Sequence, residues 1–113
     1  MSKFFRLEGK IPVPCDLDSF ARNFDEPDRH VADEMVNDVR VSTVFLGIDH
    51  NFRSSGPPLV FETLCFYADG KTSPCYRFST WEEAEKFHHS IVNDLKKTHL
   101  LKALGSTPKI KKD

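Results

Sequence analysis

The 113-residue chain is poor in glycine, cysteine and tryptophan, of which it has five, three and one. The glycines stand singly, so no glycine-rich loop is available to cradle a phosphate group, and no GxSxG nucleophile motif occurs. The cysteines form no CxxC pair and lack the spacing of a zinc site. No apolar run approaches the roughly 18 residues that span a bilayer. We therefore expect a soluble, cytosolic protein without a cofactor.

The composition is otherwise that of an ordinary globular domain. Hydrophobic residues make up 39% and charged residues 29% of the chain, and the formal net charge is −1. Acidic side chains dominate residues 1–38, whereas lysines dominate from Lys96 onward. Because this length supports one modest core, residues 1–104 are predicted to form a single domain. Residues 105–113 are predicted to form a flexible, lysine-rich tail.

The amino-terminal segment predicts one strand and one short helix. Phe4–Leu7 has strand character. Pro12 and Pro14 exclude the following residues from the middle of a sheet, because proline has no N–H to donate. The segment DLDSFARNF is typical of a helix capped by Asp16. Its apolar side chains fall on one face: Leu17, Phe20, Ala21 and Phe24.

The middle of the chain predicts strands. Residues 29–48 fit either a helical turn followed by one strand or two strands joined at Asn37-Asp38, and their β-branched residues favour the second. Val39–Ile48 is apolar on both faces and is expected at the centre of the sheet. Leu59–Ala68 is the next predicted strand.

A hairpin should follow at ADGK, where Gly70 accepts the positive φ that such turns require. The segment CYRFS then returns as a strand, which Pro74 confines to an edge of the sheet or marks as its start. A three-residue connection would place Cys65 opposite Cys75. In a reducing cytosol we expect both cysteines to remain thiols.

The carboxy-terminal third predicts a long helix. Thr80 followed by Glu83 is a capping box. A stripe at three- and four-residue steps should pack on the sheet: Trp81, Ala84, His88, Ile91 and Leu95. Within it, His88 is interpreted as a core imidazole with satisfied hydrogen bonds. The predicted fold is therefore α+β, an antiparallel sheet of four to five strands with a long C-terminal helix packed on one face and a short N-terminal helix.

Polar residues cluster where the apolar strands around residues 49–58 turn. The candidates for contact with a ligand or partner are Asp49, His50, Phe52, Arg53 and Glu62. A carboxylate beside an imidazole could hold a metal or orient a general base, which would make a metal-dependent hydrolase at Asp49, His50 and Glu62. Adjacent strand residues point to opposite faces, which favours the other interpretation, the wet mouth of a hairpin with Asp49 capping loop N–H groups and His50 in solvent. Phe52 could fold back to plug the open end of the sheet. An aromatic ring beside a guanidinium on a loop is, however, typical of recognition surfaces.

The lysine-rich carboxy terminus predicts an alternative function, nucleic-acid binding. Lysine contacts to phosphates would give a salt-dependent affinity. The candidates are Lys96, Lys97, Lys102, Lys109, Lys111 and Lys112. No aromatic residue follows Phe87 to stack on bases, which weakens this interpretation.

The segments VSTVFLGIDHNF, GPPLVFET and STWEEAE resemble a family of short proteins encoded by tailed bacteriophages and prophages. The resemblance covers about residues 28–93. It implies a phage origin and action in the bacterial host cytoplasm or in particle assembly, and it implies no reaction. We therefore expect a non-enzymatic accessory protein, with counter-defence as one role, that binds a host protein or small ligand through the 49–58 loop. An edge strand also makes a homodimer plausible.

Overall fold

The computed structural model of the protein describes residues 3–23, 29–53 and 55–103. Its elements in chain order are β1 (Phe4–Glu8), β2 (Ile11–Cys15), α1 (Leu17–Asn23), β3 (His30–Val36), β4 (Val39–Phe45), β5 (Phe61–Phe66), β6 (Tyr76–Phe78) and α2 (Trp81–Ala103). The fold is α+β, as predicted. An antiparallel sheet has the strand order β3-β4-β5-β6, and β1 and β2 form a separate antiparallel pair. The predicted tail at 105–113 lies outside the described residues.

The β1–β2 hairpin contains a strand that the sequence pattern did not predict. Pro12 and Pro14 lie within β2, opposite Leu7 and Phe5 of β1. Residues two apart in a strand direct their backbone nitrogens to the same edge. The nitrogens of both prolines point to the edge away from β1, so the missing N–H groups cost the β1–β2 pair no hydrogen bond. A two-stranded ribbon accepts this pattern, whereas the middle of a larger sheet would not.

Helix α1 begins after the predicted cap, Asp16, and none of its residues is buried. The Asp16 carboxylate accepts a hydrogen bond from the Ser19 N–H at 2.7 Å, which caps the helix. Phe20 packs on Phe4, with ring centroids 5.2 Å apart. Leu17 is 60% exposed, and Phe24, the last residue of the predicted face, lies outside the described residues. The seven-residue helix packs against β1. One strand is narrow, so it covers only part of the apolar face of the helix.

The hairpin interpretation of residues 29–48 is confirmed. Asn37 and Asp38 are the two residues that connect β3 to β4. Asn37 has a φ of 56°, in the left-handed region that asparagine tolerates better than most residues. Strand β4 lies between β3 and β5, so its central position is also confirmed.

Helix α2 begins with the predicted capping box. The Glu83 N–H donates to Thr80 Oγ1 at 3.1 Å, and Thr80 Oγ1 lies 3.0 Å from Glu83 Oε1. One face of α2 packs on one face of the four-stranded sheet. Ala84 and His88 of the predicted stripe are buried, as is Val92, which the stripe omitted.

The core between α2 and the sheet consists of two apolar clusters with a polar layer between them. The cluster near the start of α2 contains Phe5, Phe45, Val60, Phe61 and Ala84. The cluster further along α2 contains Val36, Val41, Cys65 and Val92. The polar layer contains Thr43, Thr63 and His88, all fully buried. Alternation along β4 and β5 places these threonines on the helix-facing side.

The β5–β6 hairpin differs from its predicted pairing. Cys65 donates its N–H to Ser73 Oγ, and Ser73 donates its N–H to the Cys65 carbonyl, each at 3.0 Å. Regular pairing begins only at Thr63 with Tyr76. Cys65 therefore faces Ser73 and not Cys75. Since a proline at position 74 has no N–H to offer the ladder, the chain is irregular until β6 begins.

Gly47 should tolerate substitution worse than Gly70. Both have positive φ, 77° and 86°, but a Cβ at Gly47 would lie 2.7 Å from a ring carbon of Phe20, whereas a Cβ at Gly70 would meet nothing within 4 Å. Gly70→Ala should cost about 1 kcal/mol for the left-handed backbone. Gly47→Ala should cost about 1–3 kcal/mol more for overpacking. Urea unfolding of both variants measures the difference, and equal losses would contradict the packing assigned to Phe20.

The cysteines should differ in reactivity. Burial raises the pKa of the Cys65 thiol above its ordinary value, so at a given pH less of it is the nucleophilic thiolate. Cys75 is exposed. We expect a thiol reagent to modify Cys75 about tenfold or more faster than Cys65 in the folded protein, and both at similar rates in denaturant. Peptide mass spectrometry over time gives the two rates. Similar rates in the folded protein would contradict the burial of Cys65.

Candidate functional site

The backbone on both sides of the 49–58 loop is held by the rest of the fold. Strand β4 ends at Phe45, earlier than predicted, but the chain beyond it still pairs on both sides. Leu46 and His50 donate their N–H groups to the carbonyls of Val60 and Leu59, at 2.7 and 2.9 Å. On the opposite side, the chain after β4 pairs with the start of β1 through the Phe5 N–H to the Gly47 carbonyl (2.8 Å) and the Asp49 N–H to the Lys3 carbonyl (3.0 Å).

Asp49 closes the base of the loop. Its Oδ1 accepts hydrogen bonds from the N–H of Asn51 at 2.7 Å and from the N–H of Leu59 at 3.0 Å. The two donors are separated along the chain, so one carboxylate oxygen joins the outgoing and returning strands. The interpretation of Asp49 as a cap for loop N–H groups is confirmed, and its role in the fold is structural.

Asn51 holds the tip of the loop. Its side-chain Nδ2 donates to the carbonyls of Ser55 and Pro57, at 3.2 and 2.9 Å. Its Oδ1 accepts from the Arg53 N–H at 3.0 Å. Asn51 was not among the residues predicted to shape the loop. The signal was its position two residues after an aspartate and before a Ser-Gly-Pro run, where asparagine side chains commonly bond to nearby backbone.

Phe52 and Arg53 of the loop are exposed, and His50 beside them is half-buried. The His50 Nδ1 lies 2.9 Å from the Ile48 carbonyl. A carbonyl only accepts, so Nδ1 carries the hydrogen and Nε2 is the free acceptor of the neutral ring. Phe52 is 83% exposed, with its ring centroid 6.0 Å from that of His50. Arg53 is also exposed. The interpretation of Phe52 as a plug over the sheet is therefore wrong.

These side chains border a shallow depression of about 580 Å³. It is lined by His50, Asn51, Phe52, Arg53, Ser55, Gly56, Pro57 and Leu59. Such a volume falls within the range of small-molecule sites, but this one is formed by a single loop and is wide open to solvent.

Glu62 does not join this group. Its carboxylate accepts a hydrogen bond from Arg77 Nε at 3.2 Å, and its side chain is 17% exposed. Glu62 lies opposite Arg77 in β6, on the face of the sheet away from α2. With Asp49 committed to the backbone and Glu62 to Arg77, the described residues contain no group of three or more His, Cys, Asp or Glu side chains that could hold a metal.

A buried group of hydrogen-bonded polar side chains lies elsewhere, beneath α2. His88 Nδ1 is 2.7 Å from Thr43 Oγ1, and its Nε2 is 3.0 Å from Glu34 Oε1. Thr43 Oγ1 lies a further 2.6 Å from Thr63 Oγ1. The interpretation of His88 as a satisfied core imidazole is confirmed. Its partner Glu34 was not foreseen, because the two residues are 54 positions apart.

The order carboxylate, imidazole, hydroxyl is that of a hydrolytic triad. Thr43 and His88 are, however, completely buried. A nucleophile must reach the substrate within about 3–3.5 Å. Because Thr43 offers no accessible oxygen, this group supports packing and not hydrolysis.

The lysines of the nucleic-acid hypothesis are only partly described. Lys96 and Lys97 are exposed on α2, beyond the apolar cluster that contains Val92 and therefore at the end of the sheet remote from the 49–58 loop. The side chain of Lys102 and all of Lys109, Lys111 and Lys112 lie outside the described residues.

No helix among the described residues combines the length and the apolar character that crossing a membrane would require. No family model, no curated protein and no solved structure matches this chain.

Asp49→Ala should loosen the loop, whereas Asp49→Asn should largely preserve it. Alanine removes the acceptor of two backbone N–H groups, at a cost of about 1–3 kcal/mol, while the asparagine amide oxygen can still accept. Hydrogen exchange at Asn51 and Leu59 should accelerate about tenfold or more in the alanine variant alone. If asparagine loosens the loop as much as alanine does, the negative charge and not the acceptor geometry holds it.

Proposed function

We propose that the protein is a non-enzymatic binding protein that contacts a partner protein through the 49–58 loop. One observation carries the proposal: Phe52 is 83% exposed on a loop whose backbone is fixed by the side chains of Asp49 and Asn51. Aromatic and arginine side chains are enriched at protein interfaces. Arg53 follows Phe52 directly.

Covering the exposed Phe52 side chain with a partner would be favourable in free energy. Burying a phenylalanine side chain is worth about 1.5–3 kcal/mol relative to leaving it in water. Ordering a loop on binding would offset part of that gain. Here the hydrogen bonds of Asp49 and Asn51 already order the loop, so a partner that covers Phe52 recovers more of the burial energy.

The chemistry beside Phe52 suggests what the partner presents. Arg53 is an exposed cation, and His50 directs Nε2 as an acceptor or, once protonated, as a charged donor. The Asp49 carboxylate is occupied by backbone N–H groups. An apolar pocket bordered by a carboxylate would therefore complement the loop. Nucleic acid fits less well, because its binding depends on many cation–phosphate contacts and the loop offers one permanent cation.

The resemblance to phage proteins supports a partner in the bacterial host cytoplasm. A small phage protein that acts stoichiometrically needs only a contact surface, and counter-defence is one setting for such action. This support is an analogy between families and says nothing of the partner's identity.

The test compares two exposed apolar residues. Phe52→Ala should weaken partner binding by about 1–3 kcal/mol, on the order of tenfold or more in Kd, whereas Ile11→Ala should not, although Ile11 is 65% exposed. A photo-crosslinking amino acid at either position identifies the neighbour in host lysate, and the affinity of each variant is then measured for the purified neighbour.

Both variants should keep the urea midpoint of the parent protein. A crosslinked protein that binds Phe52→Ala, Arg53→Ala and the parent chain equally would remove the loop from the proposal. A crosslink only at position 11 would place the contact on the β1–β2 hairpin. A captured nucleic acid or small molecule in place of a protein would also overturn the proposal as stated.

A further inference from the structure

The face of the four-stranded sheet that points away from α2 carries a row of three neighbouring side chains. Met35 of β3 lies opposite Arg40 of β4, and Arg40 lies opposite Phe66 of β5. The residue next to each of them in sequence belongs to the core beneath α2. Because side chains alternate along a strand, all three point to the other face. We call Met35, Arg40 and Phe66 the outer row.

The outer row is apolar at both ends and open to solvent. Met35 is 66% exposed and Phe66 is 38% exposed. Among the described residues, the helix that packs on β3, β4, β5 and β6 is α2, which lies on the opposite face. Methionine, aromatic and arginine side chains are enriched at protein interfaces relative to the rest of the surface. The outer row is therefore a candidate contact surface.

Arg40, at the centre of the outer row, is held in place with its charge balanced. Its Nε and Nη2 donate to the two carboxylate oxygens of Asp33, at 3.0 and 2.7 Å, which is a bidentate ion pair. These hydrogen bonds hold the pKa of the Asp33 carboxyl below its ordinary value. The guanidinium carbon of Arg40 also lies 5.6 Å from the centre of the Phe66 ring. A partner would therefore have little to order when it covers the row.

The charges of this face cancel one another. Glu62 and Arg77, which β5 and β6 place on the same face, form a second ion pair at 3.2 Å. Together with Asp33 and Arg40 they contribute no net charge. Like charges brought together across an interface are costly, so a neutral face can meet a copy of itself. It offers nucleic acid, in contrast, no unpaired cation among these four residues.

The outer row is also complementary to itself. Met35 and Phe66 stand on opposite sides of Arg40. If two copies face each other about a two-fold axis along β4, Met35 of each copy meets Phe66 of the other. A methionine sulfur beside an aromatic ring is a favourable contact, and a two-fold interface forms it twice. Each Arg40 approaches the axis with its own Asp33, so neither brings an unbalanced charge.

We propose that this face joins two copies of the chain in a reversible dimer, in which Met35 of each copy packs on Phe66 of the other. The free edge of β3 is a poorer two-fold contact, because Asp33 at its middle would lie opposite Asp33 of the second copy. The outer row lies at the opposite end of β4 and β5 from Phe45 and Phe61. The dimer therefore leaves the 49–58 loop free.

The size of the face predicts a weak dimer. Strand spacing of about 4.8 Å and a rise of about 3.4 Å per residue give a face of about 19 Å by 24 Å, or about 900 Å² for two copies. Interfaces of this size belong to weak, transient complexes. We expect a dissociation constant in the micromolar range or above.

Analytical ultracentrifugation of the purified protein between about 1 μM and about 1 mM tests the proposal. Met35→Ser should raise the dissociation constant of the dimer about tenfold or more, because it removes two apolar contacts per dimer. Ile11→Ser is the matched control, since Ile11 is 65% exposed on the separate β1–β2 pair, and it should leave the constant unchanged. Both variants should keep the urea midpoint of the parent protein.

The balance of charge is tested separately. Asp33→Asn leaves each Arg40 without its counter-ion, so it should weaken the dimer more at low salt than at high salt. Asp18→Asn removes an equal charge from an ion pair on α1 and should have no effect. Phe52→Ala should dimerise like the parent chain, so a failure of this proposal and a failure of the proposed loop contact give different results.

A photo-reactive methionine analogue in place of Met35 locates the contact. In a mixture of nitrogen-15-labelled and unlabelled chains, we expect crosslinks from position 35 of one copy to the segment around Phe66 of the other. This measurement stands even if a variant fails to fold. A monomer at every concentration, equal dissociation constants for Met35→Ser and Ile11→Ser, or crosslinks from position 35 to position 35 would each overturn the proposal. A crosslink in host lysate to a different protein or to nucleic acid, in place of a second copy, would overturn it too.

Discussion

The burial of one imidazole between α2 and the sheet constrains the rest of the fold. A histidine without access to water needs partners for both ring nitrogens, because an unpaired buried polar group costs about 1–3 kcal/mol. His88 obtains them from Glu34 in β3 and Thr43 in β4, and Thr63 in β5 completes the set. Three neighbouring strands each supply one side chain. A shift of one residue in any strand would turn its contribution to the far face of the sheet, so this bonding fixes the register of the strands and the rotation of α2.

The two apolar clusters on either side of this layer supply most of the burial energy but specify position less sharply. Valine and phenylalanine contacts tolerate small slips at modest cost, whereas hydrogen bonds of 2.6 to 3.0 Å do not. The polar layer therefore complements the apolar clusters: the clusters drive α2 onto the sheet, and the hydrogen bonds of the polar layer determine where it stops. A fully satisfied polar network of this kind commonly favours one packing over its alternatives.

The sequence predicted local features well and long-range partners poorly. Capping at Thr80, the turn at Asn37 and the stripe of α2 depend on residues at most a few positions apart, and all three are confirmed. The partnership of Glu34 with His88 depends on strand order and on the face that Glu34 occupies, neither of which a sequence pattern expresses. A glutamate within a strand suggests an exposed position, and here it lies half exposed with its carboxylate turned toward the core.

The difference between local features and long-range partners also explains what could be predicted of the 49–58 loop. Its composition marked a hairpin mouth with polar groups, but it did not indicate which of them the fold consumes. Asp49 and Asn51 are used by the backbone, and Glu62 is used by Arg77, which leaves His50, Phe52 and Arg53 outside. Hydrogen bonding decided which side chains face solvent: Asp49 accepts from backbone N–H groups, Asn51 donates to backbone carbonyls, and Glu62 accepts from Arg77.

The 49–58 loop and the polar layer are neighbours in the structure, but different hydrogen bonds hold each of them. Thr43 and Thr63 lie two residues from Phe45 and Phe61, the paired ends of β4 and β5 from which the loop departs. The loop itself is braced by its own side chains and by the start of β1, with no hydrogen bond to α2 among the described residues. The rings of Phe45 and Phe61, whose centroids are 5.3 Å apart, lie between the loop and the polar layer. Because Asp49 and Asn51 hold the loop whereas Glu34, Thr43 and Thr63 hold His88, the contact surface and the polar layer are two separate properties of one scaffold.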